Sequence, residues 1–560
     1  MSYTLNKLIR VKLEKIFKLM QQEDLVSSSL EFKDLIFILN EPNQGNQSTK
    51  NYEYATNLAF ILKKHSQSTP MQLAEFIQKH LQQSTYENQK LFKYVDIAQP
   101  GFINMAFSDV AFSLVISNVL NSTHPYGSNQ YLPKKDEKPI NVEYVSANPT
   151  GFLHVGHARG AAIGDSLIKI MRYFGYKVTA EYYVNDAGNQ IDNLVASARV
   201  RYNELYNIKM EMPEECYRGL DIVWLAEQIK NQYQDRFLTN FEAQYSEFRD
   251  ICVSTLLKKI ESDLKDFGVE FDLFSSELAV TKSGQIEKTL AKLSQYTYQK
   301  DGATFLKTTE FGDDKDRVLI KSDGTRTYFT PDIAYHLQKI SNSSKLINIW
   351  GADHSGYVAR MSIALECLGY PKDIMQVLVV QLVRLIKNGS EFKMSKRAGT
   401  SVTLADLLEA SSKDAVRFMM LTRDANTKFD FDIDKSNSAD QSNPVFSVQY
   451  AHSRACSVLE KAKAFKLNWN ANFANYPKMR KLILQLDLFP ELIKTIATTQ
   501  KVQLMTTYLI NLASLYNSFY SEHKIIGSEL ETQLLTLTLA TKKVLQTGLN
   551  LIGVSAPESM

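Results

Sequence analysis

The sequence predicts a multidomain fold: a central α/β domain with a parallel sheet and an inserted helical region, an N-terminal α+β domain and a C-terminal α-helical bundle. Three observations lead to this prediction. The chain has 560 residues, more than a single hydrophobic core usually serves. Between residues 139 and 184 a strand, a glycine-rich turn, a helix and a second strand follow one another, and such units build parallel sheets with right-handed crossovers. Beyond residue 435 the apolar residues recur with helical spacing almost throughout.

The N-terminal domain is expected over residues 1–112, where short apolar runs alternate with helical patterns. Two strands are predicted at 32–39 and 101–107, and two helices at 57–65 and 72–81. A linker is expected at 113–138, since the stretch NSTHPYGSNQYLPKKDEKP is rich in turn-forming and charged residues. Few contacts cross such a boundary, so we expect the remainder of the chain to fold without this domain.

The central domain is expected over 139–435 and the helical bundle over 436–560, with a charged, helix-rich insertion at about 195–295. Four buried strands are predicted in the central domain, at 139–145, 177–184, 345–354 and 375–383. The helix between the first two strands is expected from His157 to Phe174. Gly175 follows it and is placed to cap its C-terminal end.

Composition excludes several classes of protein. The hydrophobic fraction is 44%, which supports packed interiors and excludes wholesale disorder. The formal net charge is only +3, so the chain as a whole is no polycation. The region from Gln441 to the end holds 12 Lys and Arg against 7 Asp and Glu, a surplus that permits an RNA or another anionic partner.

The cysteines and the N-terminal residues bear on the compartment. The four cysteines lie far apart without a CxxC pair, which argues against a local zinc site and a disulfide framework and favours a reducing compartment. The sequence contains no apolar run long enough to span a bilayer. The first 20 residues are amphipathic and basic, but Glu14 interrupts them and arginine is scarce. A domain helix is therefore favoured over a transit peptide, and a cytoplasmic protein is expected.

The stretch NVEYVSANPTGFLHVGHARG carries the glycine-rich turn. A strand that ends in such a turn and opens a helix suits phosphate, because the helix N-terminus presents free N–H groups and a partial positive charge. Gly156, Gly160 and Gly164 recur every four residues, so one helix face lacks side chains and admits a flat ring or another backbone. For the glycines alone, close helix packing is the more common explanation. His154 and His157 are poor metal candidates without a cysteine or carboxylate partner, but they suit a phosphoryl centre as donors.

A second motif, EFKMSKRAGTSV, lies about 240 residues further along the chain. Lys393 and Lys396 occupy a predicted loop, and two lysines on a mobile loop can close over phosphates and neutralise their charge. Taken alone, this stretch is more typical of an exposed charged loop. In this order, however, the two motifs resemble the HIGH and KMSKS signatures of class I aminoacyl-tRNA synthetases. Lys393, Met394, Ser395 and Lys396 match the second signature, and Arg397 replaces its last serine.

The sequence is similar to arginyl-tRNA synthetases over most of its length, apart from residues 200–300. The similar stretches lie at 146–165, 181–190, 327–336, 350–357, 414–421 and 443–457. The resemblance implies a Rossmann-type catalytic core that ligates L-arginine to its cognate arginine tRNA through an arginyl-adenylate. It also implies ATP with Mg²⁺ as the nucleotide, no protein-bound structural metal, no membrane partner and a monomer.

The resemblance assigns arginine binding to Glu143, Asn148, Tyr328 and Asp332. The chemistry agrees, because a guanidinium is held by carboxylates in a planar fork. Alternation along the first strand places Glu143 and Val145 on one face near the end of the strand. A charged residue in a central strand is costly unless it is paired, which argues for function. Tyr328 and Asp332 are four residues apart, as on one face of a helical turn, although ordinary packing also explains Tyr328.

The resemblance also assigns the nucleotide and tRNA ends of the site. The catalytic candidates are His154, His157, Lys393 and Lys396. ATP is expected at Gly156, Gly160, Gly351, Asp353, Met394 and Ser395. Asp353 follows a strand at the carboxyl edge, where ligands of open α/β sheets bind, although a helix N-cap explains it equally well. Asn185, Asp186 and Gln190 are expected in the pocket for the tRNA 3′ end, with turn formation as an equally good account.

The outer domains are expected to contact tRNA. The helical bundle resembles the anticodon-binding domain of the family, where unstacked loop bases are read by hydrogen bonds and stacking. Tyr450, Arg454 and Lys461 are candidates there, although core packing is the more common role for Tyr450. The N-terminal domain resembles the one that touches the outer corner of the tRNA in this family.

Several alternatives stay open on the sequence. A cysteinyl enzyme of the same class would need zinc ligands, and a glutamyl enzyme would need a cationic pocket in place of Glu143 and Asp332. A small-molecule adenylyltransferase would not need so large a helical bundle. A paralogue that only binds RNA is a candidate from a different functional class. The intact histidines and lysines of both motifs argue against it.

Overall fold

The computed structural model describes residues 4–42, 50–129, 136–392, 402–470, 473 and 476–560. Within these residues the predicted fold class is confirmed. A parallel α/β sheet domain lies in the middle of the chain, an α+β domain precedes it and a helical bundle follows it. No helix in this described part combines the length and the apolar character that crossing a bilayer requires.

The N-terminal domain packs three helices against an antiparallel sheet. In chain order its elements are α1 (Leu5–Gln22), β1 (Leu39–Asn40), β2 (Tyr54–Thr56), α2 (Leu58–Lys63), α3 (Pro70–Gln82), β3 (Thr85–Tyr86), β4 (Gln89–Lys90), β5 (Phe92–Ala98) and β6 (Phe102–Phe107), and α4 (Asp109–Asn121) follows. The sheet has the order β1-β2-β6-β5, while β3 and β4 form a separate hairpin. The predicted helices α2 and α3 and the predicted strand β6 are confirmed.

The predicted strand at 32–39 is largely wrong. Phe32–Asp34 forms a 3-10 turn, and only Leu39 of this stretch pairs with another strand. Leu35 and Phe37 are buried while Ile36 is 89% exposed, so the alternating burial of a strand is present. The apolar run predicted a strand, but apolar character carries no information on whether a neighbouring strand lies within hydrogen-bonding distance.

The predicted linker at 113–138 begins with ordered helix. Helix α4 continues to Asn121 and buries Val115, Ile116 and Val119. Residues 113–121 of the predicted linker are therefore helical and contribute to the core.

The central domain contains the longest run of elements. In chain order these are β7 (Ile140–Glu143), α5 (Val155–Phe174), β8 (Val178–Val184), α6 (Asn189–Glu204), α7 (Leu220–Tyr233), α8 (Phe241–Asp266), β9 (Leu273–Ser276), α9 (Glu277–Lys282), α10 (Gln285–Leu293), β10 (Thr297–Lys300), β11 (Ala303–Leu306), β12 (Arg317–Ile320), α11 (Phe329–Asn342), β13 (Lys345–Gly351), α12 (Val358–Cys367), β14 (Met375–Val380), β15 (Val383–Lys387), β16 (Ser390–Glu391), α13 (Leu404–Ala410), α14 (Lys413–Met420), β17 (Phe429–Asp432) and α15 (Ile433–Ser436). Gly175 adopts a left-handed conformation with φ 112° and ends α5, as predicted.

The main sheet is parallel throughout and has the order β14-β13-β7-β8-β9. Helices α6, α7 and α8 leave this sheet and build a core of their own. Strand β9 then returns as its edge strand, paired with β8. The insertion expected at about 195–295 therefore includes one strand of the sheet.

The first strand is shorter than predicted. It ends at Glu143, because Val145 and Ser146 have φ values of 65° and 40° that no strand accommodates. The predicted alternation of Glu143 with Val145 therefore does not apply. Glu143 instead becomes the last residue of the central strand, at the carboxyl edge of the sheet.

The C-terminal region is a bundle of helices, as predicted. These are α16 (Pro444–Ala462), α17 (Pro477–Asp487), α18 (Phe489–Thr499), α19 (Gln503–Glu522) and α20 (Glu531–Leu551). Apolar residues of the N-terminal domain, the parallel sheet and this bundle join in one continuous core that extends from Leu5 to Val554.

Candidate active site at the carboxyl edge of the parallel sheet

The HxGH turn, residues 154–157, opens helix α5 beyond the end of the central strand β7. His154 is the N-cap residue, and its Nδ1 accepts a hydrogen bond from the Gly156 amide at 3.1 Å. The His154 amide donates to Nδ1 of His157 at 3.2 Å, and the two ring centroids lie 3.8 Å apart. Because each Nδ1 accepts a hydrogen bond, each neutral ring carries its proton on Nε2.

Both imidazoles are neutral near pH 7. Burial lowers the pKa of His154 below its ordinary value. Burial and the neighbouring His154 lower the pKa of His157 to about 3. Two Nε2–H donors thus lie beside the free N–H groups of a helix N-terminus, an arrangement that favours phosphate oxygens. The pairing agrees with the interpretation of these histidines as donors to phosphate.

The three glycines of α5 have different surroundings. A Cβ at Gly164 would collide with the buried ring of Tyr144, so this glycine serves helix-to-strand packing. A Cβ at Gly160 would meet nothing within 4 Å, so the space above it is open. At Gly156 a Cβ would lie 2.8 Å from Cε1 of His154. The bare face predicted from the sequence is therefore open to a ligand at Gly160 and filled at Gly164.

Lys393, Met394, Ser395 and Lys396 lie outside the described residues, but the chain on both sides of them is described. On the near side, the Phe392 amide donates to the Leu385 carbonyl at 2.8 Å and closes the β15–β16 hairpin. On the far side, the Val155 amide donates to Val402 O at 3.1 Å, and the Leu404 amide donates to Leu153 O at 2.8 Å. Backbone hydrogen bonds therefore hold the end of the second motif against the HxGH turn.

Four carboxyl groups form an acidic pocket at the same edge of the sheet. They are Glu143 at the end of β7, Asp186 after β8, Glu277 at the start of α9 and Asp332 in the first turn of α11. The pKa of the nearby Tyr183 phenol is raised first by burial and then by the charges of all four. Successive parallel strands end at this edge, which brings acids that are far apart in sequence close together.

Glu143 is 6% exposed and lies in a network of buried polar groups. Lys339 Nζ is 2.6 Å from Oε2 of Glu143, and the Tyr335 hydroxyl donates to the same oxygen at 3.1 Å. Burial pulls the pKa of Glu143 upward, but Lys339, the nearby His336 and the Tyr335 hydroxyl outweigh it and hold the pKa below its ordinary value. Glu143 therefore stays ionised, as an acceptor for a substrate cation must.

Asp332 and Glu277 have no such partner among the described residues. Burial, followed by repulsion from Glu143, raises the pKa of Asp332 to about 7, even though the Tyr357 hydroxyl donates to it at 2.8 Å. Burial, followed by repulsion from Asp332 and Asp186, raises the pKa of Glu277 to about 7. A buried cation would be the natural partner of both groups.

Glu277 was not identified from the sequence. It is the first residue of α9 and directly follows β9, a strand that sequence patterns placed inside the insertion. Recognising β9 as a strand of the main sheet would have placed Glu277 at the carboxyl edge. The short stretch Leu273–Ser276 has weak strand character, so that signal was faint.

Asp186 holds the start of α9. Its carboxylate accepts hydrogen bonds from Ser276 Oγ at 2.6 Å and from the Leu278 amide at 2.9 Å, and its carbonyl accepts one from Arg249 on α8. These bonds fix the turn that carries Glu277. Each carboxylate oxygen of Asp186 accepts one of these bonds, so Asp186 supports the acidic pocket.

The remaining candidates lie next to the elements that carry the acids, after β7, after β8 and before α11. Asn148 Nδ2 donates to Gln190 Oε1 at 2.6 Å. This bond links a residue predicted to bind the substrate arginine with a residue predicted to contact the tRNA 3′ end. Asn185 is half-buried after β8. Tyr328 precedes the first residue of α11 and is 76% exposed, so ordinary packing does not explain it.

Gly351 ends β13 and Asp353 follows it at the same edge. A Cβ on Gly351 would lie 2.6 Å from Asp353 Oδ1, so the exposed Asp353 side chain would have to move to admit one. The residue that caps the next turn is Gly351, which removes the N-cap explanation for Asp353. Asp353 is exposed and lies 3.3 Å from Nε2 of His354.

A separate groove of about 710 Å³ lies on the helical bundle between α16, α19 and the C-terminal residues. The Arg454 guanidinium lies over both the Tyr450 ring, at 4.6 Å, and the Tyr520 ring, at 4.7 Å. It also donates to Asn517 Oδ1 at 2.7 Å. Tyr450 is 41% exposed, so the core packing favoured for it on the sequence is wrong. Lys461 also lines the groove.

Three family models match successive parts of the chain. They are the arginyl tRNA synthetase N terminal domain over residues 4–107, the catalytic domain of class I tRNA synthetases (R) over 116–456 and the DALR anticodon binding domain over 448–560. Their order agrees with the three regions seen in the structure.

Relatives of known name match over almost their full length. An arginine–tRNA ligase of Bacillus subtilis is 43% identical over 519 residues, which cover 91% of this chain and 92% of the relative. One of Mycoplasma mobile is 44% identical over 516 residues, covering 90% and 93%. The fold matches that of Thermus thermophilus arginyl-tRNA synthetase, at 21% identity, with a TM-score of 0.74 over 99% of this chain and 100% of the other. The chain therefore belongs to the arginyl-tRNA synthetase family.

Proposed function

We propose that this chain ligates L-arginine to its cognate tRNA in two ATP-dependent steps, giving arginyl-tRNA, AMP and pyrophosphate. The acidic pocket is the observation that carries the proposal. Glu143, Glu277 and Asp332 reach it from separate elements, and two of them have pKa values of about 7 that a bound cation would lower. A glutamyl enzyme would need the opposite charge at this place.

Arginine presents two cations to this pocket, its guanidinium and its α-ammonium. Glu277 and Asp332 repel each other, so a guanidinium between them would relieve that repulsion with its planar set of donors. Glu143 and Asn148 hold either the guanidinium or the α-ammonium. Tyr328, whose ring is exposed, covers the bound amino acid in this proposal.

The first step is the attack of the arginine carboxylate on the α-phosphate of ATP. Mg²⁺ enters with the phosphates of ATP as part of the substrate, and no structural metal belongs to the proposal. ATP lies over the open face at Gly156 and Gly160, its ribose near Gly351 and Asp353, with Met394 and Ser395 against the nucleotide. The Nε2–H groups of His154 and His157 donate to the phosphate oxygens, and Lys393 and Lys396 neutralise the leaving pyrophosphate. The chain supplies position and charge rather than a covalent nucleophile.

The second step transfers the arginyl group to the terminal ribose of the tRNA, at the 2′-hydroxyl. Asn185 and Gln190 border the amino acid site and meet the tRNA 3′ end. The hydrogen bond between Gln190 and Asn148 connects the two substrates. Asp186 contributes indirectly, through the turn that carries Glu277.

The groove on the helical bundle reads the anticodon loop. The Arg454 guanidinium lies over the rings of Tyr450 and Tyr520. The two rings offer π-faces to an unstacked base, and the guanidinium offers hydrogen-bond donors. Lys461 is placed to meet a phosphate. The N-terminal domain contacts the outer corner of the tRNA. We further propose a monomer that works in the cytoplasm, in keeping with four unpaired, buried cysteines.

Aminoacylation of total tRNA with each of the twenty amino acids tests the function as a whole. Arginine alone should be transferred. A chain that charges another amino acid, or that binds tRNA without charging it, would contradict the proposal.

Glu143→Gln tests the pocket itself, since it removes a charge and keeps the shape. The KM for arginine should rise about tenfold or more, because a hydrogen bond to a charged group is worth about 1.5–3 kcal/mol. The KM for ATP should stay within about twofold.

Citrulline, a neutral urea analogue of arginine, is the companion substrate. The parent should reject it, because the pocket acids would stay desolvated without a partner. If Glu143 holds the guanidinium, Glu143→Gln should narrow the preference for arginine over citrulline. If Glu143 holds the α-ammonium, the substitution should weaken the use of arginine and of citrulline by the same factor. An unchanged KM for arginine would make Glu143 structural.

A further inference from the structure

Lys339 is a buried lysine to which the proposed function assigns no part. It lies on α11, seven residues after Asp332, and is 5% exposed. Its Nζ is 2.6 Å from Glu143 Oε2 and 3.0 Å from Asn348 Oδ1 on the neighbouring strand β13. Burying a lysine so completely is costly unless its charge is paired, so this position needs a reason.

The two oxygens of Glu143 have different environments. Oε2 accepts from Lys339 and from the Tyr335 hydroxyl at 3.1 Å. Oε1 accepts only one long hydrogen bond in the described structure, from Ser146 Oγ at 3.3 Å. A carboxylate oxygen has two lone pairs, so Oε1 retains the capacity to accept a strong donor from a substrate.

The other groups around Glu143 do not replace Lys339. Glu181, on β8, adds negative charge and shares the Tyr335 hydroxyl at 2.9 Å. His336, on α11, is bonded to Asn348 at 2.8 Å, and its pKa is lowered to about 4 mainly by burial, so it is neutral near pH 7. Asp332 repels Glu143. Of the basic side chains that the structure describes, Lys339 is the one paired with an acid of the pocket.

We propose that Lys339 is a positioning residue that keeps Glu143 ionised and holds its Oε2, so that Oε1 can accept a cationic group of arginine. The inference rests on the proposed role of Glu143. The contrast within the pocket supports it: Asp332 and Glu277 lack a lysine and have pKa values of about 7, whereas the pKa of Glu143 stays below its ordinary value. Without Lys339, burial and two neighbouring acids would raise the pKa of Glu143 as well. Protonated, it could no longer accept from a cation through both oxygens.

Lys339→Met should therefore impose a pH dependence on arginine binding. At pH 6.5 a share of Glu143 would be protonated, and the KM for arginine in tRNA aminoacylation should rise on the order of tenfold over the parent. At pH 8.5 Glu143 would again be ionised, so the ratio of variant to parent should shrink. The KM for ATP should stay within about twofold at both pH values, a split that a merely structural role would not produce.

The double variant Lys339→Met with Glu143→Gln shows whether the lysine acts through Glu143. If it does, Lys339→Met should add little to the KM for arginine in the Glu143→Gln background, because the group it controls is gone. Lys339→Arg keeps the charge and should keep the ratio independent of pH. Lys300→Met, an exposed lysine on β10, is the matched control and should change neither KM.

The outcomes separate this inference from the proposed function. If Glu143→Gln leaves the KM for arginine unchanged, the proposed role of Glu143 is wrong. If Glu143→Gln raises that KM but Lys339→Met raises it equally at both pH values and in both backgrounds, the role of Lys339 is wrong. If Lys339→Met fails to fold, Lys339→Gln replaces it, because the glutamine amide can donate a hydrogen bond but carries no charge. The KM for arginine is then compared at the same two pH values and in the same two backgrounds.

Discussion

The acids of the pocket show how burial prepares a residue for one ligand. Asp332 and Glu277 interact with each other, and each has a pKa of about 7 because burial and like charge disfavour ionisation. Near pH 7 the empty pocket therefore retains protons that ordinary carboxyls would have lost. A guanidinium needs ionised acceptors, so arginine binding should release protons.

This coupling predicts that the KM for arginine falls as the pH rises from 6 to 8. The folded-state pKa values lie above those of exposed acids, so the empty protein holds extra protons between about pH 4 and 7. These extra protons stabilise the folded protein at lower pH, and that stabilisation is lost as the pH rises through 7. Bound arginine offsets the loss, because its positive charge stabilises the ionised carboxylates. Aminoacylation kinetics at several pH values, with calorimetry in buffers of different ionisation enthalpy, would measure both effects.

Asp332→Asn and Glu277→Gln serve as controls for that prediction. Each should raise the KM for arginine and reduce the proton release, because one of the two titrating groups is gone. Proton release that is absent in the parent, or undiminished in both variants, would mean that these groups are already ionised in the empty pocket.

At the level of single residues, the sequence predicted site candidates in and near the signature motifs. It missed the residues that complete the acidic pocket or hold its members in position. Glu143 and Asp332 are brought together in the acidic pocket, as expected. Glu277 was not identified because a glutamate in the first turn of a helix is common and belongs to no recognisable motif. Asp186 is predicted at the tRNA end, and nothing in the sequence indicated that it also accepts from the Leu278 amide and supports Glu277. Supporting roles depend on partners far away in sequence, which local patterns do not reveal.

Helix α5 offers a test at the level of one element. Gly160→Ala should stabilise the empty protein by about 0.5–1 kcal/mol, because alanine is the better helix former and its Cβ meets nothing within 4 Å. If ATP occupies that open face, the same methyl group should raise the KM for ATP on the order of tenfold, as overpacking costs about 1–3 kcal/mol. Thermal unfolding and ATP-dependent kinetics would separate the two effects.

Gly164→Ala, one turn along the same helix, is the matched variant. Its Cβ collides with the buried Tyr144 ring, so it should lower the stability by about 1–3 kcal/mol despite the gain in helix propensity. Opposite changes in Tm for the two variants are the expected result. A Gly160→Ala protein with an unaltered KM for ATP would remove the nucleotide from this face.

Elements with strong periodicity were predicted well, and their pairing was not. The helix expected from His157 begins two residues earlier at Val155 and ends at Phe174 as expected. Strand β8 also matches. The stretch 32–39 alternates like a strand but pairs only at its end, and β9 was hidden in an insertion. Periodicity reports which face is buried, while pairing depends on distant backbone.

At the level of the whole molecule, the N-terminal domain is not the separate body that the linker composition predicted. The Leu5 amide, at the start of α1, donates to both carboxylate oxygens of Asp487 on α17 at 3.1 and 2.9 Å. Ser113 Oγ donates to the Trp469 carbonyl at 2.7 Å, and Glu53 pairs with Arg480. Removing residues 1–110 would expose apolar surface on the bundle, so the truncated chain is expected to be less stable than the full chain.

The Glu53–Arg480 pair joins the N-terminal domain to the C-terminal bundle and carries the last prediction. The Glu53 side chain is 2% exposed and that of Arg480 is 13% exposed. Arg480→Ala leaves a buried carboxylate without its cation, a change that costs about 3–5 kcal/mol in proteins. We expect a clear fall in Tm and faster proteolysis of the N-terminal domain.

Lys494→Ala, which breaks the exposed pair with Glu491 at 3.1 Å on the same bundle, should cost less than about 1 kcal/mol. Arg480→Ala combined with Glu53→Gln should recover most of the loss, because no buried charge remains. If Arg480→Ala were as stable as Lys494→Ala, the Glu53–Arg480 pair would contribute little to holding the N-terminal domain to the bundle.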